Sequence, residues 1–236
     1  MTPFVAAVAI AATLAVGAQP AAAGDSFIDG IDVSRWQRAP RWAEVKNAGV
    51  GFVIARATYS NTGLDEQYER NLRVLRNKGI PFSAYHHAGP DLSIGDAVAE
   101  ADHFVDVAQL VGRNLLPALD LKTHGELTAE ELQEWVKSWL ARVEERLGVK
   151  PMIYAPTALW VDWMGNTTWF ADNGYRFWVR DWDSIDSPIL PANNWGGYGW
   201  TLWQTGTAPV PGIKGWIDQD VFNGLSLAPI RIKNNR

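Results

Sequence analysis

The 236-residue chain contains no cysteine. That excludes a disulfide framework, a thiol nucleophile and cysteine-ligated zinc, so packing alone must stabilise the fold. Basic residues are scarce too: 21 Lys and Arg stand against 26 Asp and Glu, a formal charge of -5. No basic stripe offsets this balance, so duplex nucleic acid is not an expected partner, because phosphate binding rests on clustered cations. His86, His87, His103 and His124 have no metal-ligand spacing, and neither a metal nor any other cofactor is expected. Glycine-rich phosphate loops, a serine nucleophile elbow and a dinucleotide fingerprint are missing. Internal repeats, low-complexity tracts and interdomain linkers are missing as well. With 47% hydrophobic and 20% charged residues, the composition excludes a disordered chain.

The one long apolar run lies at the N-terminus, from Phe4 to Ala18, and Ala21-Ala22-Ala23 follows it. A run of this length before small residues reads as a signal peptide over residues 1–23, with cleavage near Ala23. Residues 24–236 then form one domain, long enough to bury its own core. No Lys or Arg precedes Phe4, so a retained membrane anchor is the alternative. The mature protein is expected to be a secreted, periplasmic or wall-located monomer without stable membrane association.

What is abundant is tryptophan, with thirteen residues. More than half should pack in the core, and the others are available to stack on flat ligands. Short β-branched or aromatic runs bounded by turn residues predict eight strands: Ile28–Val33, Gly51–Ala57, Pro81–His86, Pro117–Leu121, Pro151–Ala155, Arg176–Arg180, Gly199–Gln204 and Trp216–Phe222. Helical periodicity is clearest after Thr128, where Thr128 and Glu131 have capping-box spacing and Leu132, Trp135, Val136, Trp139, Leu140 and Val143 recur on one face. Gly148 stops that helix. Further helices are predicted over Asp65–Lys78, over Gly95–Val111 with Val98, Ala101, Val105 and Ala108 inward, and over Trp42–Ala48. Regular alternation in the first half and loops in the second predict an α/β fold, an irregular TIM-like (β/α) barrel with eight strands and helices mainly in the first half.

Reacting groups in such barrels gather at the C-terminal ends of strands. Those positions hold Asp32, Tyr85, His86, Asp120, Tyr154, Asp181, Asp183, Trp203, Gln204, Asp218 and Asp220. A single Asp after a strand is commonly a cap or turn residue. Several on one rim, accompanied by aromatics, point to a polyhydroxyl ligand.

Seven segments carry a specific resemblance: Gly30-Ile31-Asp32-Val33-Ser34-Arg35-Trp36-Gln37, Phe52-Val53-Ile54-Ala55-Arg56-Ala57-Thr58, Ala84-Tyr85-His86, Pro117-Ala118-Leu119-Asp120, Pro151-Met152-Ile153-Tyr154, Leu202-Trp203-Gln204, and Ile217-Asp218-Gln219-Asp220-Val221-Phe222-Asn223-Gly224. In this order they resemble the glycoside hydrolase family 25, or Chalaropsis-type, lysozymes from about Phe27 to Gly224. The resemblance implies an N-acetylmuramidase scaffold that cleaves the β-1,4 bond of peptidoglycan, with peptidoglycan or a related N-acetylated glycan as partner. It implies Asp32, Asp120 and Asp218 as catalytic carboxylates, and Arg56, Tyr85, His86, Tyr154, Asp181, Trp203 and Gln204 as substrate-binding residues.

The same resemblance calls for Asp-x-Glu at the end of the fourth strand, the Glu protonating the glycosidic oxygen and the Asp orienting the 2-acetamido group. Here the segment reads Asp120-Leu121-Lys122. Residues two apart on a strand share a face, so Lys122 should stand at the proton donor's place and pair with Asp120. An ammonium with a pKa of about 10.4 is a poor general acid, and neighbouring carboxylates raise it further. Glu126, Asp181 and Asp183 are the other acids within reach of the rim. Arg180 departs from the small residue expected there; it either bridges to Asp181 or Asp183 or contacts a carboxylate or stem peptide of the substrate. Three readings follow: a muramidase of weak activity or with an unusual acid, a silent glycan-binding protein, and a hydrolase of another extracellular polysaccharide.

Overall fold

A computed structural model describes residues 27–233; the expected signal peptide lies outside the described residues. The strands are β1 (Phe27–Val33), β2 (Phe52–Tyr59), β3 (Gly63–Leu64), β4 (Phe82–His87), β5 (Ala118–Asp120), β6 (Met152–Pro156), β7 (Arg176–Arg180), β8 (Leu202–Pro209) and β9 (Trp216–Asn223). They pair in the order β1-β9-β8-β7-β6-β5-β4-β2, and a β1–β2 pairing closes the ring, with β3 a short hairpin appended to β2. The eight-strand barrel expected from the sequence is present, with each predicted strand within a few residues of its place.

The direction of the last strand differs from a regular (β/α) barrel. Every other neighbouring pair in the ring is parallel, whereas β9 runs antiparallel to both β8 and β1. A turn of six residues, Val210–Gly215, joins β8 to β9 as a hairpin, too short for the crossover that a parallel partner needs. Asp218 therefore reaches the common rim from near the start of its strand, and the rule of C-terminal strand ends does not place it.

Outside the ring lie α1 (Trp42–Asn47), α2 (Tyr68–Lys78), α3 (Asp96–Ala108), α4 (Ala129–Leu147) and the short α5 (Thr157–Asp162) and α6 (Trp169–Asp172). The α4 start has the predicted capping box: the Thr128 hydroxyl accepts from Glu131 N at 3.3 Å, and the Glu131 carboxylate accepts from Thr128 N at 2.9 Å. Its six predicted apolar residues are all buried, and Gly148 ends it in the left-handed conformation. Helix α2 begins three residues later than expected, because the Asp65 carboxylate accepts from Arg35 N, Gln67 N and Arg56 Nε. On α3 the inward face is Ala97, Glu100, Ala101, Phe104 and Ala108. Val98, expected inward, is exposed, because the buried Asp96 and Glu100 rotate the packed stripe away from the purely apolar one. Among the described residues no helix is long and apolar enough to cross a membrane.

Period-two alternation divides each strand between the barrel interior and the helix layer. Gly30 faces inward opposite Phe52, and a Cβ there would meet the Phe52 ring at 2.3 Å, so glycine is required for that ring to fill the lower barrel. Seven of the thirteen tryptophans are buried, as composition suggested. Trp195 stacks on Phe177 with ring centroids 4.1 Å apart. That packing, together with the Trp195 Nε1 bond to Tyr175 O, holds a left-handed turn over Ala192–Trp195 that would otherwise cost about 1–2 kcal/mol per residue.

Candidate active site

The rim above β1, β5 and β9 brings five ionisable groups together. Asp32 and Asp218 are direct cross-strand partners, and Asp220 lies one inward position below Asp218 on β9. On β5, Asp120 points inward, and Lys122, two residues on, follows it. Lys122 Nζ stands 3.3 Å from Asp120 Oδ2 and 4.8 Å from the centre of the Tyr154 ring. The expected pairing of Lys122 with Asp120 is thus formed, with the lysine side chain 42% exposed at the rim.

Two like charges placed directly opposite across a sheet repel. Burial first, then Asp218, pushes the Asp32 carboxyl up to about 7, although Lys122 and a hydrogen bond from Gln204 pull it down. Burial raises Asp218 too, against the pull of Lys122 and Arg180. Asp220 is wholly buried, and its carboxyl is pushed well up by desolvation and by Asp32; Trp178 Nε1 donates to its Oδ1 at 2.8 Å. Asp120 behaves differently. Burial opposes its charge, yet Lys122 and His87 outweigh burial and hold its carboxyl below the ordinary value. The Lys122 ammonium is disfavoured by burial, but Asp120, Asp32 and Asp218 overcome that and raise it. The rim therefore keeps an ionised Asp120–Lys122 pair beside Asp32, whose carboxyl holds its proton toward neutral pH, and beside Asp218 and Asp220, both raised chiefly by burial.

Gln204 organises the centre. Its Nε2 donates to Asp32 Oδ2 at 2.6 Å, while its Oε1 accepts from Tyr154 OH at 2.9 Å and from Trp182 Nε1 at 3.2 Å. Tyr85 also points inward, with its ring edge-on to Trp178 at 6.4 Å. Arg56 is inward on β2, but its Nε donates to Asp65 at 2.9 Å, which ties it to the wall of the cleft.

Two expected rim residues face the other way. His86 is fully enclosed on the outer face: its Nε2 lies 2.6 Å from Glu100 Oε2, its Nδ1 lies 2.7 Å from Thr58 Oγ1, and its ring stacks on Trp139. Trp203 is buried on that same outer face and donates to the Asp181 carbonyl at 2.7 Å. The reason is alternation, since Tyr85 and His86 cannot both face inward, nor can Trp203 and Gln204. Asp181 also turns from the groove, and its carboxylate accepts from Ser184, Asp183 N and Ile189 N within its own loop. Glu126 is exposed in a left-handed backbone conformation beyond the rim.

His87 takes the place assigned to His86, its Nδ1 lying 2.9 Å from Asp120 Oδ2. Trp178 and Trp182, which support Asp220 and Gln204, were not singled out by the sequence. Alternation from Tyr85 would have found His87, and alternation from Arg180 would have found Trp178. Above the rim, Trp36 is 71% exposed beside Arg35. Next to Arg180, a cleft of about 510 Å³ is lined by Pro156, Thr157, Ala158, Val161, Asp162, Asp181, Trp182, Asp183 and Ile189.

This geometry has known counterparts. Residues 31–213 match the family model described as glycosyl hydrolases family 25. The chain is 30% identical over 223 residues to lysozyme M1 of Streptomyces globisporus, covering 90% of this chain and 74% of that protein. It is 31% identical over 229 residues to an N,O-diacetylmuramidase of Arthroderma benhamiae, covering 92% of each. The crystal structure of the Streptomyces coelicolor lysozyme superposes with a TM-score of 0.79 at 30% identity, over 88% of this chain and 97% of that one. Family match, relatives and barrel agree: the chain belongs to glycosyl hydrolase family 25.

Proposed function

We propose that the protein is an exported, peptidoglycan-directed member of its family whose groove binds the N-acetylated glycan strand and whose hydrolytic step is slow. The family and its lysozyme and muramidase relatives support a peptidoglycan-hydrolysing scaffold. The observation that carries the finer reading is the 3.3 Å pair between Lys122 and Asp120. A general acid must give up its proton to the leaving oxygen near neutral pH. Burial favours release of the Lys122 proton, but Asp120 above all, with Asp32 and Asp218, outweighs it and raises the ammonium away from that range.

Binding is better served than cleavage. Lys122 and His87 both engage Asp120 Oδ2, while Asp120 Oδ1 is buried with no partner among the described residues. A buried acceptor left unmatched is costly, and the 2-acetamido N–H of a bound sugar supplies the missing donor. Trp36 and Trp182, each with an arginine over one ring face, leave further aromatic surface exposed for pyranose rings.

Reducing-end release from purified peptidoglycan, followed for the wild type and Lys122→Glu, tests this reading. The variant should cleave about 10²- to 10⁴-fold faster, the range that general-acid assistance contributes. Wild-type turnover matching that of Lys122→Glu refutes the role given to Lys122. Wild-type cleavage that is lost in Glu126→Gln would assign the acid to that loop. Absence of peptidoglycan binding by both proteins points to another polysaccharide.

A further inference from the structure

Arg180 is a rim cation to which the reaction chemistry assigns no role. It faces inward at the end of β7, in register with Gln204 and Pro156. Its neighbours in sequence, Asp181 and Asp183, would be the obvious partners, yet among the described residues its guanidinium makes neither a salt bridge nor a side-chain hydrogen bond. The reason is local. Asp181 turns into the loop beyond the strand, and its two oxygens already accept four bonds: from Ser184 Oγ at 2.7 Å, Ile189 N at 2.8 Å, and Asp183 N and Ser184 N at 3.2 Å each. Four donors fill the lone-pair sites of a carboxylate. Asp183 is exposed at the outer edge of the loop.

The guanidinium is nevertheless held in place. Its carbon lies 4.2 Å from the centre of the Trp182 ring, and Trp182 is anchored by its Nε1 bond to Gln204 Oε1. Contact with the ring face occupies the apolar side of an arginine and leaves its N–H fork available in the plane. A fixed, unpaired fork matches a carboxylate through two parallel hydrogen bonds. It lines the cleft of about 510 Å³ beside Pro156, Val161 and Ile189, whose other charged residues are Asp162, Asp181 and Asp183, a volume within the range of small-ligand sites.

We propose that Arg180, seated on Trp182, is a specificity-determining residue that binds a carboxylate carried by the muramyl unit of the glycan. The inference rests on the peptidoglycan-directed reading above and names the chemical group that such a groove selects. That carboxylate comes from one of two sources. Peptide-free strands expose the lactyl carboxylate, whereas in peptide-bearing strands it is amidated and the charge lies on the stem peptide.

Calorimetric titration with three soluble ligands tests the assignment: chito-oligosaccharide, which is neutral; peptide-free oligomers of N-acetylglucosamine and N-acetylmuramic acid; and the same oligomers carrying stem peptides. Arg180→Gln should lower the preference for one or both carboxylated ligands over the neutral one by about ten- to a hundredfold, the range for a hydrogen-bonded charge. Arg180→Lys, which keeps the charge without the fork, should recover part of that preference. The carboxylated ligand that loses affinity identifies the source. An equal loss for all three ligands, or no loss, overturns the inference and leaves the peptidoglycan reading standing. Failure of the wild type to bind any of them overturns both.

Discussion

Asp32 is where the unusual electrostatics of this rim can be measured. Its carboxyl sits at about 7 in the folded protein, against an ordinary value of 3.8. Between those pH values the native chain keeps a proton that the unfolded chain has released. Stability therefore falls as pH rises through this window, and the loss levels off above about pH 7. A displacement of this size corresponds to about 4 kcal/mol as an upper bound, at 1.36 kcal/mol per unit. Replacing Asp32 by Asn removes the titrating group while keeping an oxygen that can accept from Gln204 Nε2. Urea unfolding at pH 4.5 and pH 8 should show the variant gaining about 2–4 kcal/mol on the wild type between the two conditions. His86 is lowered mainly by burial despite its bond to Glu100, so its contribution rises with pH and opposes that of Asp32. It is common to both proteins and cancels in the difference. Asp220, which Asp32 helps to raise, is relieved by the same substitution and moves the difference the same way. A wild-type-to-variant difference that is the same at both pH values would refute the account of a buried cross-strand carboxylate pair.

Three further outcomes follow from packing and capping. Trp139 is fully buried between Phe104 and His86, so Trp139→Ala should cost about 3–5 kcal/mol in denaturant unfolding. Thr128→Ala breaks the α4 capping box and should cost about 1 kcal/mol, visible as a lowered melting temperature by circular dichroism. Gly125 has a φ of +55°, and a Cβ there would stand 1.7 Å from Pro90 O. Gly125→Ala should therefore shift the loop that follows Lys122, detectable as faster amide exchange over residues 122–127.

The barrel was legible because its evidence is local. Buried strands are short apolar runs between turn residues, and the α4 stripe with its capping box needs only neighbours three and four apart. The carboxylates Asp32, Asp120 and Asp218 are legible from strand-end positions and from the order of the segments, and the fold brings them to one rim. His86 and Trp203 were misplaced because the segments were matched as blocks, without applying alternation inside each block. Val98 was set inward because the buried Asp96 and Glu100 carry no hydrophobic signal.

The sequence by itself determined that this chain would close an eight-stranded barrel and carry a lysine two residues after its fourth-strand aspartate, since periodicity and spacing are properties of the chain alone. Tertiary structure decided that β9 returns antiparallel and sets Asp218 against Asp32, that Asp181 is consumed by its own loop, and that Arg180 sits on Trp182 without an ion-pair partner among the described residues. Those outcomes depend on which groups meet after distant strands have packed, and on how burial alters the cost of their charges.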